Sequence, residues 1–290
     1  TSFPAGAKLG TAANNVNFES AWQSSGLTSF PALDLSNGTT FFNAFRNTQL
    51  TTIDSGVLLG TAVASANVNF QNAFRETPLT EFPALDLSKG KYFTSAWQGC
   101  SALTSFPAGA KLGTEVTGSV NFESAWRDSG LTLFSTPLPT AGNCRFSWFG
   151  SNLSSFNLET LTATEFRSTW RETNLSSFST TLPDSISFNG CWLDCSSLTD
   201  FAAGVFSDWN PSSISDTVFH NAWDGCNLTA QSVENILTSI AASGQYATST
   251  GASGGPALAD AGIDIDYNTG TGSLSAATNA AVDSLKAKGW

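Results

Sequence analysis

The sequence is poor in charged residues, and basic residues are especially few. Asp, Glu, Lys and Arg make up 12% of the 290 residues. The chain has only 12 Lys and Arg against 23 Asp and Glu, which gives a net charge of −11. Because binding to a phosphate backbone needs a basic stripe, this composition argues against a nucleic-acid partner. The surface must be covered largely by neutral hydroxyls and amides, as in many extracellular and virion proteins. We therefore expect an extracellular location, on a virion or on a bacterial cell surface.

The sequence also lacks long apolar runs and a secretory signal. No stretch approaches the roughly 20 apolar residues that span a bilayer, and no charged segment followed by an apolar one opens the chain. Membrane insertion is therefore not expected.

Methionine is absent altogether, which bears on how the chain begins. Thr1-Ser-Phe-Pro matches the inside of a repeat, as in Thr28-Ser-Phe-Pro and Thr104-Ser-Phe-Pro, so the sequence begins one residue after a missing Leu. The chain is predicted to be the C-terminal part of a longer protein. Because an array cut inside a repeat exposes an apolar end, we expect the preceding part of the protein, or a neighbouring subunit, to cover the Thr1 end.

Catalytic groups are scarce as well. The one histidine, His220, occupies a repeat position that Glu, Gln, Thr or Arg fills in other copies, which favours a surface residue. No Ser-His-Asp arrangement, Gly-x-Ser-x-Gly, His-Glu-x-x-His or phosphate-binding loop is present. Acids such as Asp34 and Asp86 recur as copied repeat positions, which does not favour a glycosidase pair but leaves that alternative open. The sequence predicts no enzymatic activity and no cofactor, with calcium as the one open alternative.

A repeat is the main feature that the chain does contain. The motif Phe-x-x-Ala-Trp is followed about five residues later by Leu-Thr-x-Phe, and such self-similarity predicts a solenoid. The spacing varies from about 22 to 30 residues, and the extra residues precede the next Phe-x-x-Ala-Trp, so one edge carries variable loops. Copies of the first motif begin at Phe18, Phe41, Phe70, Phe93, Phe122, Phe166, Phe188 and Phe219, with a degenerate copy ending at Trp148.

Each repeat unit predicts one strand and one helical turn. Leu-Thr-x-Phe is short, β-branched and flanked by turn residues, which suits a strand of about three or four residues. Phe-x-x-Ala-Trp places apolar groups at i, i+3 and i+4, so about one turn of helix buries all three on one side. Stacked units then align the Phe and Trp rings as core columns rather than as exposed stacking surfaces. The prediction is an α/β repeat solenoid of about nine coils over residues 1–227.

Residues 228–290 predict a small C-terminal cap. Thr229 is placed to N-cap an amphipathic helix, and a Gly/Ser-rich loop, a short strand at 263–267 and a second helix at 275–288 follow. A solenoid needs a closing segment of this kind. The apolar stripe of the first helix consists of Val233, Ile236, Leu237 and Ile240.

Three of the five cysteines share one repeat position. Cys100, Cys195 and Cys226 each follow a repeat Trp by three residues, which favours a buried ladder position. No zinc-type spacing is present. Cys195 and Cys226 belong to neighbouring coils, so a disulfide between them stays open if the compartment is oxidising. The arginines lie in or near the predicted helical turns, often next to an acid, which favours a solvated and self-neutralised face.

The repeat resembles that of the BspA-like leucine-rich-repeat proteins, in the short variety whose units read roughly Phe-x-x-Ala-Phe-x-x-Cys-x-x-Leu-Thr-x-Phe-Pro. Residues 97–107 and 192–201 carry this pattern best, and the resemblance extends from Thr1 to about Leu228. Trp often replaces Phe, and several units lack the Cys. The tail resembles the segment that closes such arrays in bacterial surface proteins and in phage structural or tail-fibre proteins. The resemblance implies a leucine-rich-repeat-like fold, adhesion or receptor recognition, and no catalytic motif.

A column of hydroxyls is the candidate binding site. The residue after each unit's Leu is Thr or Ser, and in-register stacking places these side chains on one face. Such a column can hydrogen-bond a polysaccharide or, as a further alternative, order water on an ice surface. The competing interpretation is that Thr and Ser suit short exposed strands and satisfy local backbone groups. The residues are Thr28, Thr51, Thr80, Thr104, Thr132, Ser154, Ser176 and Thr199.

The best metal candidate lies in the C-terminal tail. Asp264, Asp266 and Asn268 are spaced as the first three oxygen ligands of a calcium loop. The segment lacks Gly at the sixth position and has Ser275 instead of Glu at the twelfth. The competing interpretation is a structural strand and turn.

These features predict a non-enzymatic recognition or adhesion module. It would form the distal part of a phage tail fibre or other virion appendage, or of a bacterial surface adhesin. Its expected partner is a host surface receptor or a polysaccharide. The alternative is a purely structural spacer or decoration protein of an extracellular assembly.

Overall fold

The computed structural model describes Leu9 and residues 15–214, 217–245 and 275–290. The calcium candidates Asp264, Asp266 and Asn268 lie outside these described residues, as does the strand predicted at 263–267. The calcium hypothesis therefore stays a prediction.

The chain divides by its internal contacts into two compact units. These are Thr1–Leu153, hereafter the first unit, and Ser154–Trp290, the second unit. The predicted division into solenoid and cap at residue 228 is a different boundary and stays a prediction.

The first unit is a stack of short parallel strands joined by turns. Its largest sheet has six strands in the order β1-β4-β7-β9-β11-β13, with one strand from each successive repeat. Further rows pair β2 with β5, β3 with β6 and β8 with β10, all parallel. The strands are β1 (Val16–Asn17), β2 (Ser29–Phe30), β3 (Asp34–Leu35), β4 (Gly38–Thr40), β5 (Thr52–Ile53), β6 (Leu58–Leu59), β7 (Val68–Asn69), β8 (Asp86–Leu87), β9 (Gly90–Tyr92), β10 (Lys111–Leu112), β11 (Val120–Asn121), β12 (Leu133–Phe134) and β13 (Ala141–Asn143).

This arrangement is a parallel β-solenoid, which confirms the solenoid architecture that the repeat predicted. A coil can hold three short strands, as β2, β3 and β4 show, where the sequence predicted one. The second of these strands arises because Leu33 and Leu35 are buried while Asp34 between them is exposed. That alternation is the period of a half-buried strand.

The second unit combines the same kind of coil with two helices. Strand β15 pairs in parallel with β16, and an isolated parallel bridge joins Thr160 to Thr181. Neither helix of the described residues is long and apolar enough to cross a membrane. The elements are β14 (Ser155–Phe156), β15 (Ser177–Phe178), β16 (Asp200–Phe201), α1 (Ala230–Ser243) and α2 (Ala276–Ala287).

The predicted helical turn at Phe-x-x-Ala-Trp is replaced by a run of β-turns. In the first copy, Ala21 N–H donates to Phe18 O at 3.2 Å and Ser25 N–H donates to Trp22 O at 3.1 Å. The third residue of the first of these turns, Ser20, has a left-handed φ of 52°. A left-handed residue ends any right-handed helix, so no α-helical turn forms here.

The same turn run also pairs with the next coil. Ser20 N–H donates to Phe42 O at 2.8 Å, and Trp22 N–H donates to Ala44 O at 2.9 Å. The N–H groups from Ser20 to Ser25 are therefore satisfied alternately by the neighbouring coil and by the turn itself. We refer to these segments as turn runs.

The left-handed positions recur at the motif's third residue, where the sequence carries Ser, Asn or Gly in nearly every copy. Asn and Gly tolerate this conformation best, and Ser is small enough to adopt it. The residues are Ser20, Asn43, Asn72, Ser95 and Ser124 in the first unit and Ser168, Gly190 and Asn221 in the second.

The aromatic side chains form columns in the core, as expected. In the first unit one column contains Trp22, Phe45, Phe74, Trp97, Trp126 and Trp148, with ring centroids 4.8 to 6.0 Å apart. Each fully buried Phe stabilises the fold by roughly 1.5–3 kcal/mol relative to an exposed one. The second unit repeats the arrangement with Trp170, Trp192 and Trp223, at 5.6 and 5.3 Å.

The cysteines at the shared repeat position satisfy backbone carbonyls. Cys100 Sγ donates to Phe74 O of the preceding coil at 3.1 Å, and Thr77 Oγ1 donates to the same carbonyl at 2.8 Å. In the second unit Cys195 Sγ donates to Trp170 O at 2.9 Å. None of the five cysteines forms a disulfide. The predicted buried position is therefore confirmed for Cys100 and Cys195, whereas Cys226 is half-buried. Other repeats carry a buried Thr or Ser at this position, as at Thr77 and Ser129.

Helix α1 covers the edge of β16 in the second unit. Ser232 Oγ donates to Thr199 O at 2.9 Å and accepts from Phe201 N–H at 2.8 Å, and Asn235 Nδ2 donates to Phe201 O at 2.8 Å. Thr229 is the N-cap, as predicted. These bonds satisfy an edge that would otherwise be open to pairing with another chain. The predicted apolar stripe is buried: Val233, Ile236, Leu237 and Ile240.

We expect Gly90→Ala to destabilise the first unit by about 2 kcal/mol, because it overpacks the Phe column. A Cβ at Gly90 would lie 2.3 Å from Phe93 Cζ and 3.0 Å from Phe70 Cδ2. The control is Gly26→Ala, where a Cβ would meet nothing within 4 Å. Urea unfolding monitored by tryptophan fluorescence measures both variants. If both variants lowered the free energy of unfolding equally, the stacked Phe rings would not constrain Gly90.

We also expect stability to fall at alkaline pH because of buried thiols. Burial raises the pKa of Cys100 to about 11 and that of Cys144 to about 12. An unfolded thiol has a pKa near 8.5, so the stabilisation is complete below about pH 8.5 and is lost as pH rises through the folded values. The free energy of unfolding should decrease more steeply above pH 8.5 in the wild type than in Cys100→Ala/Cys144→Ala. Parallel pH profiles would contradict this origin.

Candidate functional site

The hydroxyl column is the row of Thr and Ser residues that follow the Leu of each Leu-Thr-x-Phe motif, one in each repeat. In the first unit Thr51 N–H donates to Thr28 O at 2.9 Å, and Thr132 N–H donates to Thr104 O at 3.0 Å. Thr80 N–H lies 3.5 Å from Thr51 O. In the second unit the column contains Ser154, Ser176 and Thr199, and Thr199 N–H donates to Ser176 O at 3.1 Å. The predicted residues therefore stack in register within each unit wherever these bonds occur.

The side chains of the column point outward because the flanking residues anchor the strand in the core. Leu27 and Phe30 are both buried, at 5% and 1% exposure, while Thr28 between them is exposed. The other members are exposed too, except Thr199, which is half-buried. Two anchored apolar residues thus hold a short polar segment at the surface.

Some of the hydroxyls already serve the backbone. Thr51 Oγ1 donates to Thr28 O at 3.1 Å, and Thr132 Oγ1 donates to Thr104 O at 3.2 Å. This is the structural role that the competing interpretation predicts. Within the described residues, the hydroxyls of Thr28, Thr80 and Thr104 make no such bond, so their full hydrogen-bonding capacity faces solvent.

A cleft of about 270 Å³ opens where the column meets helix α1 in the second unit. Ser177 and Asp200, which are paired across β15 and β16, line one side of it. Thr229, Gln231 and Asn235 from the first turns of α1 line the other side. The cleft exists because the chain continues as a helix where another strand would otherwise extend the stack.

Sequence reasoning missed this cleft, although two signals were present. Gln231 and Asn235 are four residues apart on α1, which places them on the same face. Asp200 follows the column residue Thr199, and at the equivalent position several other repeats have Ser. The sequence does not show that this face of α1 lies against β15 and β16.

The arginine face is neutralised by neighbouring acids, as expected. In the first unit Glu76 pairs with Arg75 at 3.1 Å and with Arg46 at 3.7 Å. In the second unit Arg171 pairs with Glu172 at 3.0 Å. Such exposed pairs contribute little stability, but they leave no basic patch at these positions.

Metal-binding clusters are not found in the described part of the chain. There, no group of three or more His, Cys, Asp or Glu side chains is arranged to hold a metal ion. His220 is exposed, as its repeat position predicted. Among the described residues, the hydroxyl column and the cleft are candidate sites.

Comparisons of the chain with known protein families, with curated proteins and with solved structures find no match. The function of the hydroxyl column must therefore be inferred from its geometry and chemistry. The column is a periodic row of exposed, uncharged hydrogen-bonding groups.

We expect Thr51→Val to lower the free energy of unfolding by about 0.5–1.5 kcal/mol, because it removes a hydroxyl that bonds to the preceding coil. Thr80→Val is the matched control, since its hydroxyl makes no such bond in the described structure, and its effect should stay within about 0.5 kcal/mol. Both values come from urea unfolding. A larger loss in Thr80→Val than in Thr51→Val would contradict the division of the column into engaged and free hydroxyls.

Proposed function

We propose that the chain is a non-enzymatic recognition module that binds a polysaccharide, or the glycan of a host surface receptor, along the hydroxyl column. It would be displayed on a virion appendage such as a tail fibre, or on a bacterial cell surface. The observation that carries the proposal is the register of the column, in which exposed hydroxyls recur once per coil, as at Thr28 and Thr51.

A polymeric ligand suits this geometry better than a small one. A hydroxyl both donates and accepts, so a row of hydroxyls matches a chain of hydroxyl-bearing sugar units. Each hydrogen bond contributes only about 0.5–1.5 kcal/mol net, so useful affinity requires several contacts made together. Thr28, Thr80 and Thr104 offer the least engaged hydroxyls of the first unit.

The proposal includes membership of the BspA-like leucine-rich-repeat group and a leucine-rich-repeat-like fold. It is supported by the unit at 97–107, whose pattern positions Trp97, Cys100, Leu103 and Phe106 are all buried. The turn runs are the feature by which these coils differ from the expected strand and helical turn.

A structural spacer is the competing function, and one observation favours it. Thr51 and Thr132 use their hydroxyls to bond the preceding coil. If the whole column serves only to stack coils, the protein would space or decorate an assembly and bind no glycan.

Glycan-array binding by the recombinant protein tests the proposal. The variant Thr28→Ala/Thr80→Ala/Thr104→Ala removes three hydroxyls that make no hydrogen bond within the described residues, so the fold should be kept. We expect at least tenfold weaker binding to the glycans that the wild type recognises. Circular dichroism and the unfolding midpoint check that the variant is folded.

The matched control is Thr114→Ala/Thr117→Ala, which changes two exposed threonines in a loop of the same unit. We expect this control to bind as the wild type does. If only the control variant lost glycan binding, the binding site would lie in the variable loops and not on the hydroxyl column. A wild type that binds neither glycans nor host cells would support the spacer.

A further inference from the structure

The cleft between α1 and strands β15 and β16 differs from the rest of the hydroxyl column in shape and chemistry. Elsewhere the column is an exposed row, whereas here side chains face each other across a concave surface of about 270 Å³. Pockets for drug-sized ligands start at about 300 Å³, so this cleft suits a ligand of about one ring.

We propose that this cleft binds one neutral sugar ring and so fixes the end of a polysaccharide that follows the hydroxyl column of the second unit, at Ser154, Ser176 and Thr199. The proposal rests on the proposed function and adds a specific subsite to it. The ligand class follows from the charge, the hydrogen-bonding capacity and the rigidity of the lining.

The charge of the lining excludes anionic ligands. Among the described residues that line the cleft, Asp200 is the one with a charged side chain, and none is Lys, Arg or His. Sulfated, phosphorylated or sialylated sugars would place a negative charge beside this carboxylate without a cation to compensate. A neutral sugar instead donates its hydroxyls to the carboxylate, which forms charge-assisted hydrogen bonds.

The lining has spare hydrogen-bonding capacity. Asp200 Oδ2 accepts from Thr199 Oγ1 at 2.9 Å, but a carboxylate has about four acceptor positions. Gln231 uses Nε2 to donate to Asn235 Oδ1 at 3.1 Å and keeps its carbonyl oxygen and a second N–H. Ser177 adds an exposed hydroxyl. Donors and acceptors are thus both present, as adjacent sugar hydroxyls require.

The wall of the cleft is held in place before any ligand binds. Asn235 Nδ2 donates to Phe201 O at 2.8 Å, and Gln231 is in turn bonded to Asn235. Ser232 bonds both Thr199 O and Phe201 N–H. A wall fixed in this way loses little conformational entropy when a ligand binds, which favours affinity from few contacts.

The test uses the full chain and a panel of neutral oligosaccharides with their sulfated and sialylated counterparts, measured by array and by saturation-transfer NMR. We expect neutral glycans to be preferred, with at least tenfold weaker binding in Asp200→Ala and a smaller loss in Gln231→Ala. The matched control is Asp208→Ala, an exposed acid of the same unit that does not line the cleft. It should bind as the wild type does.

The outcomes separate the cleft from the column. Asp200→Ala and Gln231→Ala could both bind glycans normally while Thr28→Ala/Thr80→Ala/Thr104→Ala does not. In that case the proposal that the cleft binds a sugar ring is wrong, and the proposed function stands. A preference for sulfated or sialylated glycans would also overturn the neutral-sugar subsite. A wild type that binds no glycan would overturn both proposals.

Discussion

Hydrogen bonds between coils are the constraint on which the rest of this structure depends. In the turn runs alternate N–H groups donate to the next coil, as Ser95 does to Glu123 O and Trp97 to Ala125 O, both at 2.8 Å. This bonding sets a coil spacing close to the roughly 4.8 Å of parallel strands. Side chains at equivalent positions must then stack directly on one another. The 5.4 Å separation of the Trp97 and Trp126 rings is the result.

Much of this fold could be predicted from the repeat, because apolar residues at fixed positions can be buried only by stacking. The aromatic columns, the buried cysteine position and the helix that begins after Thr229 all followed from such spacing. The turn runs did not, because an i, i+3, i+4 pattern buries the same side chains whether the backbone forms a helix or β-turns. The distinguishing signal was the Ser, Asn or Gly at the motif's third residue, as at Asn43 and Gly190.

The candidate site was predictable to the extent that it depends on the same spacing. Each member of the hydroxyl column follows the Leu of its repeat, so in-register stacking places the members on one face. The sequence could not show which hydroxyls bond the preceding carbonyl, because that depends on side-chain rotamers, as Thr51 and Thr80 illustrate. Nor could it show the cleft, which depends on where α1 crosses the last strand. The core residues thus hold the coils together, and the recognition that we propose would depend on groups that the core does not use.

The most direct test of this account is NMR measurement of couplings across hydrogen bonds in the isotope-labelled protein. The turn runs predict a coupling between the amide nitrogen of Trp97 and the carbonyl carbon of Ala125, together with a positive φ at Ser95. A coupling from Trp97 to the carbonyl of Phe93, with a negative φ at Ser95, would show a helical turn instead. That result would contradict the coil-to-coil bonding from which the columns and the candidate site are derived.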